Sequence, residues 1–394
     1  MGTTALVPTL LASVGVSAVL PVLPELALGL GATLAVAAFV AAALTTGQLV
    51  GSVLGGALVI RLGERRTMLV AAALGILGGL LGSMASSMAL LLAASAVTGI
   101  SVAALALARH AFVTLAVPGS QRGRVMSLLA GCSKLGQVLG PFVMVLLLGM
   151  GASTRSSFAV VAAVSLVTGL LVVRSGSFGE EPHVAHRADG VWRAARENRR
   201  SLVVVGSGAA LLGMLRISRL VLIPLWGTAI GLSAGEAALL VGVASVVDAT
   251  LFYVGGALMD RYGRLRVTVP ALLGFAVAHA ALAMEAVVSE GVLLLTLVAL
   301  VMAVANAMTS GVIQALGSDL ADPRRPAGYL GAWRLITEAG PAVTPVIIAG
   351  TAAVSLGFAS LAMAGVALVA AIVLNRWAAP LLPAHGDELP AEGD

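Results

Sequence analysis

The stretch Gly55–Arg66 reads GGALVIRLGERR, and the stretch Gly255–Arg266 reads GGALMDRYGRLR. The two copies lie 200 positions apart and share the frame GGAL-x-x-R-x-G-x-x-R. Each copy follows one long apolar segment and precedes another. A short charged loop that recurs at a fixed offset between apolar segments indicates that the chain arose by duplication of one half.

The composition places the chain in a membrane. The mean hydropathy is +1.05, and charged residues make up 10% of the 394 positions, whereas a soluble domain carries about 25%. Apolar segments long enough to cross a bilayer recur from end to end. Because no water satisfies the backbone there, each segment must be a helix or part of a closed barrel. The segments are too continuously apolar for barrel strands, so we expect an all-α membrane protein.

The segments predict twelve transmembrane helices in two pseudo-symmetric bundles of six. Spans 1–6 form a bundle within residues 1–174, a cytoplasmic linker follows at 175–200, and spans 7–12 occupy 201–376. The polar tail 377–394 is expected to be disordered. The first span lacks the charged start of a secretory signal, so it is expected to be retained. The predicted spans are 3–24, 33–60, 67–86, 88–112, 125–149, 157–174, 201–230, 233–259, 267–288, 291–316, 328–349 and 352–375.

Arginine is distributed unequally between the two sides of the membrane. One side carries Arg155 with the acids Glu25, Glu236, Glu285 and Glu290. The positive-inside rule places the arginine-rich side and both termini in the cytoplasm. The bias of 22 arginines to one lysine is typical of a GC-rich bacterial genome, so a bacterial inner membrane is expected. The arginines of the cytoplasmic side are Arg61, Arg65, Arg66, Arg122, Arg124, Arg187, Arg193, Arg196, Arg199, Arg200, Arg261, Arg264, Arg266, Arg324 and Arg325.

The basic pI of about 10.3 therefore follows from topology and does not indicate a nucleic-acid partner. The single cysteine, Cys132, excludes an internal disulfide. The internal repeat also extends beyond the loops, which predicts two halves related by an axis along the membrane normal. The matched pairs are Pro24 with Pro224 at an offset of 200, and Lys134 with Glu338, Gly136 with Gly340 and Pro141 with Pro345 at an offset of 204.

The loop after span 8 resembles the G-x-L-x-D-R-x-G-R signature of the major facilitator superfamily. It runs from Gly256 to Arg264, and the first-half copy departs from the signature at Ile60 and Glu64. The resemblance implies alternating access with a cytoplasmic gate formed by these loops. The gate residues that it implies are Asp260, Arg261, Gly263, Arg264, Gly56, Arg61 and Arg65.

Span 5 resembles part of the signature of the drug:proton antiporters within that superfamily. It holds Gly136-Gln-Val-Leu-Gly140-Pro141, a motif expected to let the helix bend or approach a neighbour closely. Met144 and Val145 stand where the signature continues with glycines, and Ser95 replaces the membrane arginine of span 4. The resemblance therefore implies an antiporter-like protein, with export as its direction.

Six ionisable side chains fall at membrane depth, where each costs about 2.5–3.5 kcal/mol on insertion scales. A rise of 1.5 Å per residue places Asp248 roughly 18 Å, Lys134 roughly 15 Å, and Glu338 and Gln48 roughly 20 Å from the cytoplasmic ends of their spans. Arg109 and His110, near the inner end of span 4, are expected to snorkel. The six are Lys134, Arg216, Arg219, Asp248, Arg334 and Glu338.

The resemblance implies that span 5 packs beside span 8 and span 2 beside span 11. We therefore expect Lys134 to pair with Asp248, and Glu338 to face Gln48. An acid without a full counter-charge in low dielectric can take up and release a proton near neutral pH. Glu338 is the first candidate for proton coupling and Asp248 the second. Two structural alternatives stay open: Arg334 can neutralise Glu338 at i, i+4, and Asp248 can pair with Arg216 or Arg219.

Span 7 lines the cavity in this family, and its Arg216 and Arg219 share one face. Two guanidinium groups on one face suit a carboxylate or a phosphate, although internal pairing would also absorb them. Trp226 and Trp333 are candidates for an aromatic wall, with membrane-interface anchoring favoured for Trp226. The expected substrate-cavity residues are Arg216, Arg219, Arg334, Lys134, Gln48 and Asn306.

The sequence contains no phosphate-binding loop of the Walker type and no histidine or cysteine cluster for a metal, so we expect neither an enzyme nor a bound cofactor. The leading hypothesis is a monomeric, proton-coupled secondary transporter that exports a small amphipathic or anionic compound by alternating access. Its partners are a small-molecule substrate, protons and the lipid bilayer. The alternatives are a proton symporter that imports an anionic metabolite and a membrane sensor or scaffold that transports nothing.

Overall fold

A computed structural model describes residues 5–117, 119–175, 193, 195–284, 291–321 and 326–381. Within these ranges the protein is helical, and no residue lies in a β-strand. Most of the predicted linker 175–200 and the tail from 382 lie outside them. The helices are Val7–Val19, Leu23–Gly29, Leu34–Ser83, Met88–Ala116, Gly119–Gly149, Ser156–Arg174, Arg199–Ala229, Ala234–Tyr262, Arg264–Met284, Gly291–Met308, Val312–Leu320, Pro326–Ala352 and Leu356–Ile372.

The described helices give the twelve spans that the sequence predicts. Ten segments are long and apolar enough to cross a membrane, and the bent pair Val7–Val19 and Leu23–Gly29 forms an eleventh. The 50-residue helix Leu34–Ser83 is interrupted at Gly63, where φ is 78° and ψ is 170°. That residue separates spans 2 and 3 and completes the twelve.

Three differences from the predicted boundaries concern a bend, a break and the start of the tail. Span 1 does not end at residue 24 but bends by 44° and continues to Gly29, because Pro21 and Pro24 interrupt backbone bonding at the bend. Span 10 is not continuous to residue 316; it breaks before Gly311, whose φ of 87° no ordinary residue adopts readily, and resumes at Val312. The last span continues as helical turns to Leu381, so the tail begins later than expected.

The backbone repeats the duplication that the sequence indicates. Gly31 and Gly231 have φ values of 84° and 85°, and Gly63 and Gly263 have φ values of 78° and 92°. Each pair is 200 positions apart and ends or interrupts a helix in the left-handed region that glycine alone enters freely. The two halves therefore share turn geometry as well as sequence.

Within each half, glycines let neighbouring helices approach closely. A Cβ atom at Gly136 would stand 2.6 Å from the carbonyl oxygen of Leu10, so span 5 lies directly against span 1. A Cβ atom at Gly340 would clash with the carbonyl oxygen of Ala210, which places span 11 against span 7 in the same way. Small residues permit this contact where no hydrophobic force drives helices together.

The two halves meet along two seams, as the family resemblance implies. Span 5 packs on span 8, and span 11 packs on the helix that carries spans 2 and 3. At the end of the molecule opposite Gly63 and Gly263, a buried apolar cluster closes the space between the halves. This closing cluster consists of Ala18, Val22, Met144, Ala234 and Ala238.

Candidate functional site

A cavity of about 450 Å³ lies between the two halves, beneath the closing cluster. Spans from both halves line it, and its wall mixes apolar side chains with hydroxyl, amide and charged groups. The first half contributes only neutral polar groups, whereas the charged groups come from the second half. The polar lining residues are Ser13, Ser17, Thr45, Gln48, Ser133 and Gln137 from the first half, and Arg216, Arg219, Ser245, Asn306, Gln314, Thr337 and Glu338 from the second.

Asp248 is the centre of a charged cluster beside this cavity. Its side chain is only 2% exposed, and Lys134 Nζ lies 2.8 Å from its Oδ2 atom. Asn306 donates its amide hydrogens to both carboxylate oxygens at 2.9 Å, and Arg219 Nη2 lies 3.4 Å from Oδ2. The expected pair with Lys134 is therefore present, and so is the alternative pair with Arg219. Charge-assisted bonds of this kind are the strongest side-chain hydrogen bonds in proteins.

Lys134 reaches the cluster across the seam between the halves. It projects from span 5 toward span 8, where Asp248 accepts its hydrogen bond and the ring of Phe252, one helical turn further on, lies 5.6 Å from Nζ. Among the ion pairs whose two partners are both described, this one alone joins the two halves. The buried pair thus fixes the relative position of spans 5 and 8.

Arg216 has a different environment from the other two cations. Its Nε donates to Oδ1 of Asn306 at 3.0 Å, and no carboxylate among the described residues lies within 4.0 Å of it. Asn306 therefore accepts from Arg216 with its carbonyl and donates to Asp248 with its amide. Three cations surround a single carboxylate, which leaves an excess of two positive charges next to the cavity.

Glu338 lines the cavity, and its side chain is 52% exposed. Its Oε1 lies 3.8 Å from Nε of Arg334, one turn earlier on the same helix and similarly exposed. The alternative of an i, i+4 pair is thus realised, but at a long distance. Gln48 lines the same cavity. Among the described residues, no hydrogen bond joins the side chains of Gln48 and Glu338.

The expected cavity residues separate into two groups. Arg216, Arg219, Gln48 and Asn306 line the cavity, whereas Lys134 and Arg334 are not among its lining residues. Lys134 instead supports the wall from behind through Asp248.

The expectation of an aromatic wall is wrong. Trp226 is 6% exposed and donates from Nε1 to Oγ of Ser360 at 2.9 Å, so it lies in the core of the second half and not at a membrane interface. Trp333 donates to the carbonyl oxygen of Ile313 and stacks on Tyr329. Neither ring lines the cavity.

Arg109 also differs from its predicted position. It is 7% exposed, and its Nε and Nη1 atoms have no hydrogen-bond partner among the described residues. Snorkelling would have left the guanidinium in contact with water. The sequence places this residue near the end of span 4, but the surrounding helices bury it.

An arginine of each gate loop bonds to the end of a neighbouring span. Arg264 Nε lies 3.1 Å from Oδ2 of Asp319, at the end of span 10, whereas Asp260 is exposed and lies 4.0 Å from Arg264. In the first half, Arg65 donates to the carbonyl oxygens of Val172 and Val173 at the end of span 6. A cation suits such a helix C-terminus. Asp319 was not identified from sequence because its partner lies 55 positions away.

Comparisons with known proteins agree with this architecture. The sequence model described as Major Facilitator Superfamily matches residues 6–217 and again 205–393. No curated protein matches the sequence. Among solved structures, a partially occluded inward open form of the xylose transporter XylE from E. coli is similar with a TM-score of 0.71 and 16% identity, over 94% of this chain and 98% of that one.

Two further solved structures share the fold. The nucleoside transporter NupG has a TM-score of 0.75 and 13% identity, over 94% of this chain and 98% of that one. The peptide transporter POT has a TM-score of 0.77 and 16% identity, over 96% and 94% of the two chains. Identities this low establish the fold alone, but the family match extends over both halves. The chain therefore belongs to the major facilitator superfamily, and it is a multi-pass membrane transporter and not an enzyme.

Proposed function

We propose that the protein is a proton-coupled secondary transporter that exports a small amphipathic or anionic compound by alternating access. The carrying observation is the charge count beside the cavity, where Lys134 and Arg219 pair with the single carboxylate of Asp248 and Arg216 donates to the neutral Asn306. An uncompensated charge away from bulk water is costly unless a counter-charge reaches it. An anionic group of the substrate would supply that counter-charge.

The size and lining of the cavity support a small organic molecule. Its volume of about 450 Å³ lies within the range of about 300–1,000 Å³ that is typical of small-molecule sites. Leu20, Leu44, Ile217 and Ile313 provide apolar wall next to the charged groups. A ligand with one anionic end and an apolar body would match both kinds of surface.

Glu338 is the better candidate for the proton carrier. Protonation of Asp248 would oppose three donors that already bind its charged form. Glu338 faces the cavity and has one charged partner, Arg334, at a distance of 3.8 Å. Protonation of Glu338 therefore disrupts fewer contacts than protonation of Asp248. Protonation of Glu338 would change the charge of the cavity wall and shift the balance between inward-open and outward-open states.

The direction of transport and the topology complete the proposal. The span 5 motif favours export, and the arginine-rich side favours a topology with both termini in the cytoplasm of a bacterium. One similar structure is named a D-xylose-proton symporter, at 17% identity. That likeness favours the second candidate, a proton symporter that imports an anionic metabolite. A sensor or scaffold without transport is the third.

Substrate-dependent proton flux in proteoliposomes tests the proposal. The purified protein is reconstituted with a pH-sensitive dye and presented with a panel of organic anions and antibiotics. We expect extrusion of at least one compound against its gradient, driven by proton entry. Uptake together with protons would establish the symporter instead, and the absence of any flux across the panel would refute transport.

The variant Glu338→Gln tests the proton carrier. We expect it to lose proton-driven extrusion of the substrate by about tenfold or more, since a missing proton-transfer group typically costs about 10²–10⁴-fold, while counterflow of the substrate is retained. Glu25→Gln, which lies at the far end of span 1 and outside the cavity, is the matched control. Normal proton coupling in Glu338→Gln would exclude Glu338 as the carrier.

A further inference from the structure

We infer that Asn306 is a positioning residue that holds Arg216 toward the cavity without neutralising it, so that Arg216 binds the anionic group of the substrate. The inference rests on the proposed function and divides the roles of the three cations in the cluster. Lys134 and Arg219 are held by Asp248, whereas Arg216 keeps its charge for a ligand.

Asp248 bonds to groups other than Arg216. Oδ2 of Asp248 accepts from Lys134, Arg219 and the Asn306 amide, and Oδ1 accepts from Asn306. Among the described residues no carboxylate oxygen lies within 4.0 Å of a nitrogen of Arg216, so Asp248 does not bond to Arg216 directly. The nearest acceptor for Arg216 is the carbonyl of Asn306, which is neutral.

The side-chain amide of Asn306 is suited to bind two different neighbours. An amide side chain donates and accepts at once, so Asn306 can bind Asp248 on one side and Arg216 on the other. An aspartate there would form an ion pair with Arg216 and would repel Asp248, and a leucine would hold neither. The amide is thus the group that orients Arg216 and leaves its charge uncompensated.

The fold holds Asn306 in place through its main chain. The residue is buried and lies one turn before the break in span 10 at Gly311. The hydroxyls of Thr309 and Ser310 both donate to its carbonyl oxygen in the main chain, at 3.1 Å. The amide is therefore held in place from the backbone side, and its orientation is set by Arg216 and Asp248.

Arg216 retains donors for a ligand. A guanidinium has five N–H groups, and Asn306 uses only the one on Nε. Arg216 lines the cavity, so its terminal nitrogens can bind a carboxylate or a phosphate in a fork-like geometry. The ligand class is therefore an organic anion whose carboxylate or phosphate contacts Arg216.

A charge-exchange variant tests this assignment. Asp248→Asn combined with Asn306→Asp keeps the composition and the net charge but moves the carboxylate next to Arg216. Binding of phenyl phosphate, benzoate and the neutral benzamide is measured by calorimetry on the full chain in lipid nanodiscs. The wild type is expected to prefer the two anions, and the exchange to weaken anion binding by about tenfold or more, with benzamide unaffected. Unchanged anion binding would show that total charge decides and would overturn the inference.

A mutant cycle keeps the test valid if the exchange variant folds poorly. Arg216→Gln should abolish the preference for anions in the wild type but cause little further loss in Asn306→Asp, where Arg216 is already neutralised. Losses that simply add would refute the role of Asn306. A wild type that transports anions in liposomes but fails this cycle would leave the proposed function intact. A wild type without any preference for anions would refute the inference and the anionic substrate class, while the flux assay decides separately whether the protein transports.

Discussion

At the scale of single residues, the protein depends on a buried carboxylate that receives bonds from both halves. Asp248 is held by Arg219 and Asn306 from its own half and by Lys134 from the other. A buried ion pair contributes little over an apolar pair of the same shape, but its disruption leaves an unpaired charge. The cluster therefore contributes little net stability, but it fixes how the two halves are aligned and must stay intact for that alignment.

Asp248→Ala is expected to lower the free energy of unfolding by about 3–5 kcal/mol, because it leaves buried cations without their carboxylate. Lys134→Ala is expected to cost less, about 1.5–3 kcal/mol, because Asp248 keeps its bonds to Arg219 and Asn306. The double variant should lose clearly less than the two losses added together, because Lys134 has no carboxylate partner left to lose once Asp248 is removed. Thermal unfolding in detergent, combined with transport rates, measures the cycle. Lys134→Ala with Glu25→Gln is the control pair, for which additive losses are expected. Additivity for Lys134 and Asp248 as well would show that the two are not coupled.

At the scale of elements, glycine positions decide which helices touch. Gly136 in span 5 and Gly340 in span 11 occupy matching positions. Gly136 faces the backbone of span 1 at Leu10, and Gly340 faces the backbone of span 7 at Ala210. Leu10 and Ala210 are themselves 200 positions apart. The same duplication keeps the loop glycines Gly63 and Gly263 in the same conformation. Close packing of spans 5 and 11 carries the charged residues Lys134 and Glu338 to the seams between the halves.

Gly340→Ala is expected to destabilise the protein by at least about 1 kcal/mol, because the added methyl group meets the carbonyl of Ala210 and spans 7 and 11 must separate. Gly350→Ala on the same helix is the matched control, since a Cβ atom there meets nothing within 4 Å. The control should be neutral or slightly stabilising through helix propensity. Thermal unfolding of the two variants side by side checks the prediction, and equal melting temperatures would contradict it.

At the scale of the whole molecule, two similar bodies enclose a cavity that is closed at one end. The closing cluster joins spans 1, 5 and 8, and Phe142 of span 5 packs against Gly242 of span 8. Alternating access requires these contacts to separate while the seams at the level of Asp248 remain in register. Under the proposed alternating access, the closed end is the gate that opens in each cycle.

A disulfide across that gate is expected to arrest transport. A Cβ atom at Gly242 lies 3.4 Å from Cβ of Pro141, close to the spacing of about 3.5–4.5 Å in disulfides. In a Cys132→Ser background, Pro141→Cys with Gly242→Cys should cross-link under oxidation, lose transport, and regain it on reduction. Each single cysteine variant serves as control. Full transport by the cross-linked protein would show that this end does not open.

The sequence by itself determined the twelve spans and their division into two halves. A bilayer admits no alternative to a helix for such apolar segments, and the repeated loop at Gly55–Arg66 and Gly255–Arg266 reveals the duplication directly. The Lys134–Asp248 pair also followed, once the family resemblance had placed span 5 beside span 8.

Only the tertiary structure decided which cations share Asp248, that Asn306 separates Arg216 from them, and that Arg109 and Trp226 are buried. The spacing of Arg216 and Arg219 fixes their common face, but it fixes neither the rotation of span 7 nor the residue that the face meets. Rotation and partner are set by close packing between helices, through contacts such as that of Gly340 with Ala210, and such contacts depend on residues far apart in the chain.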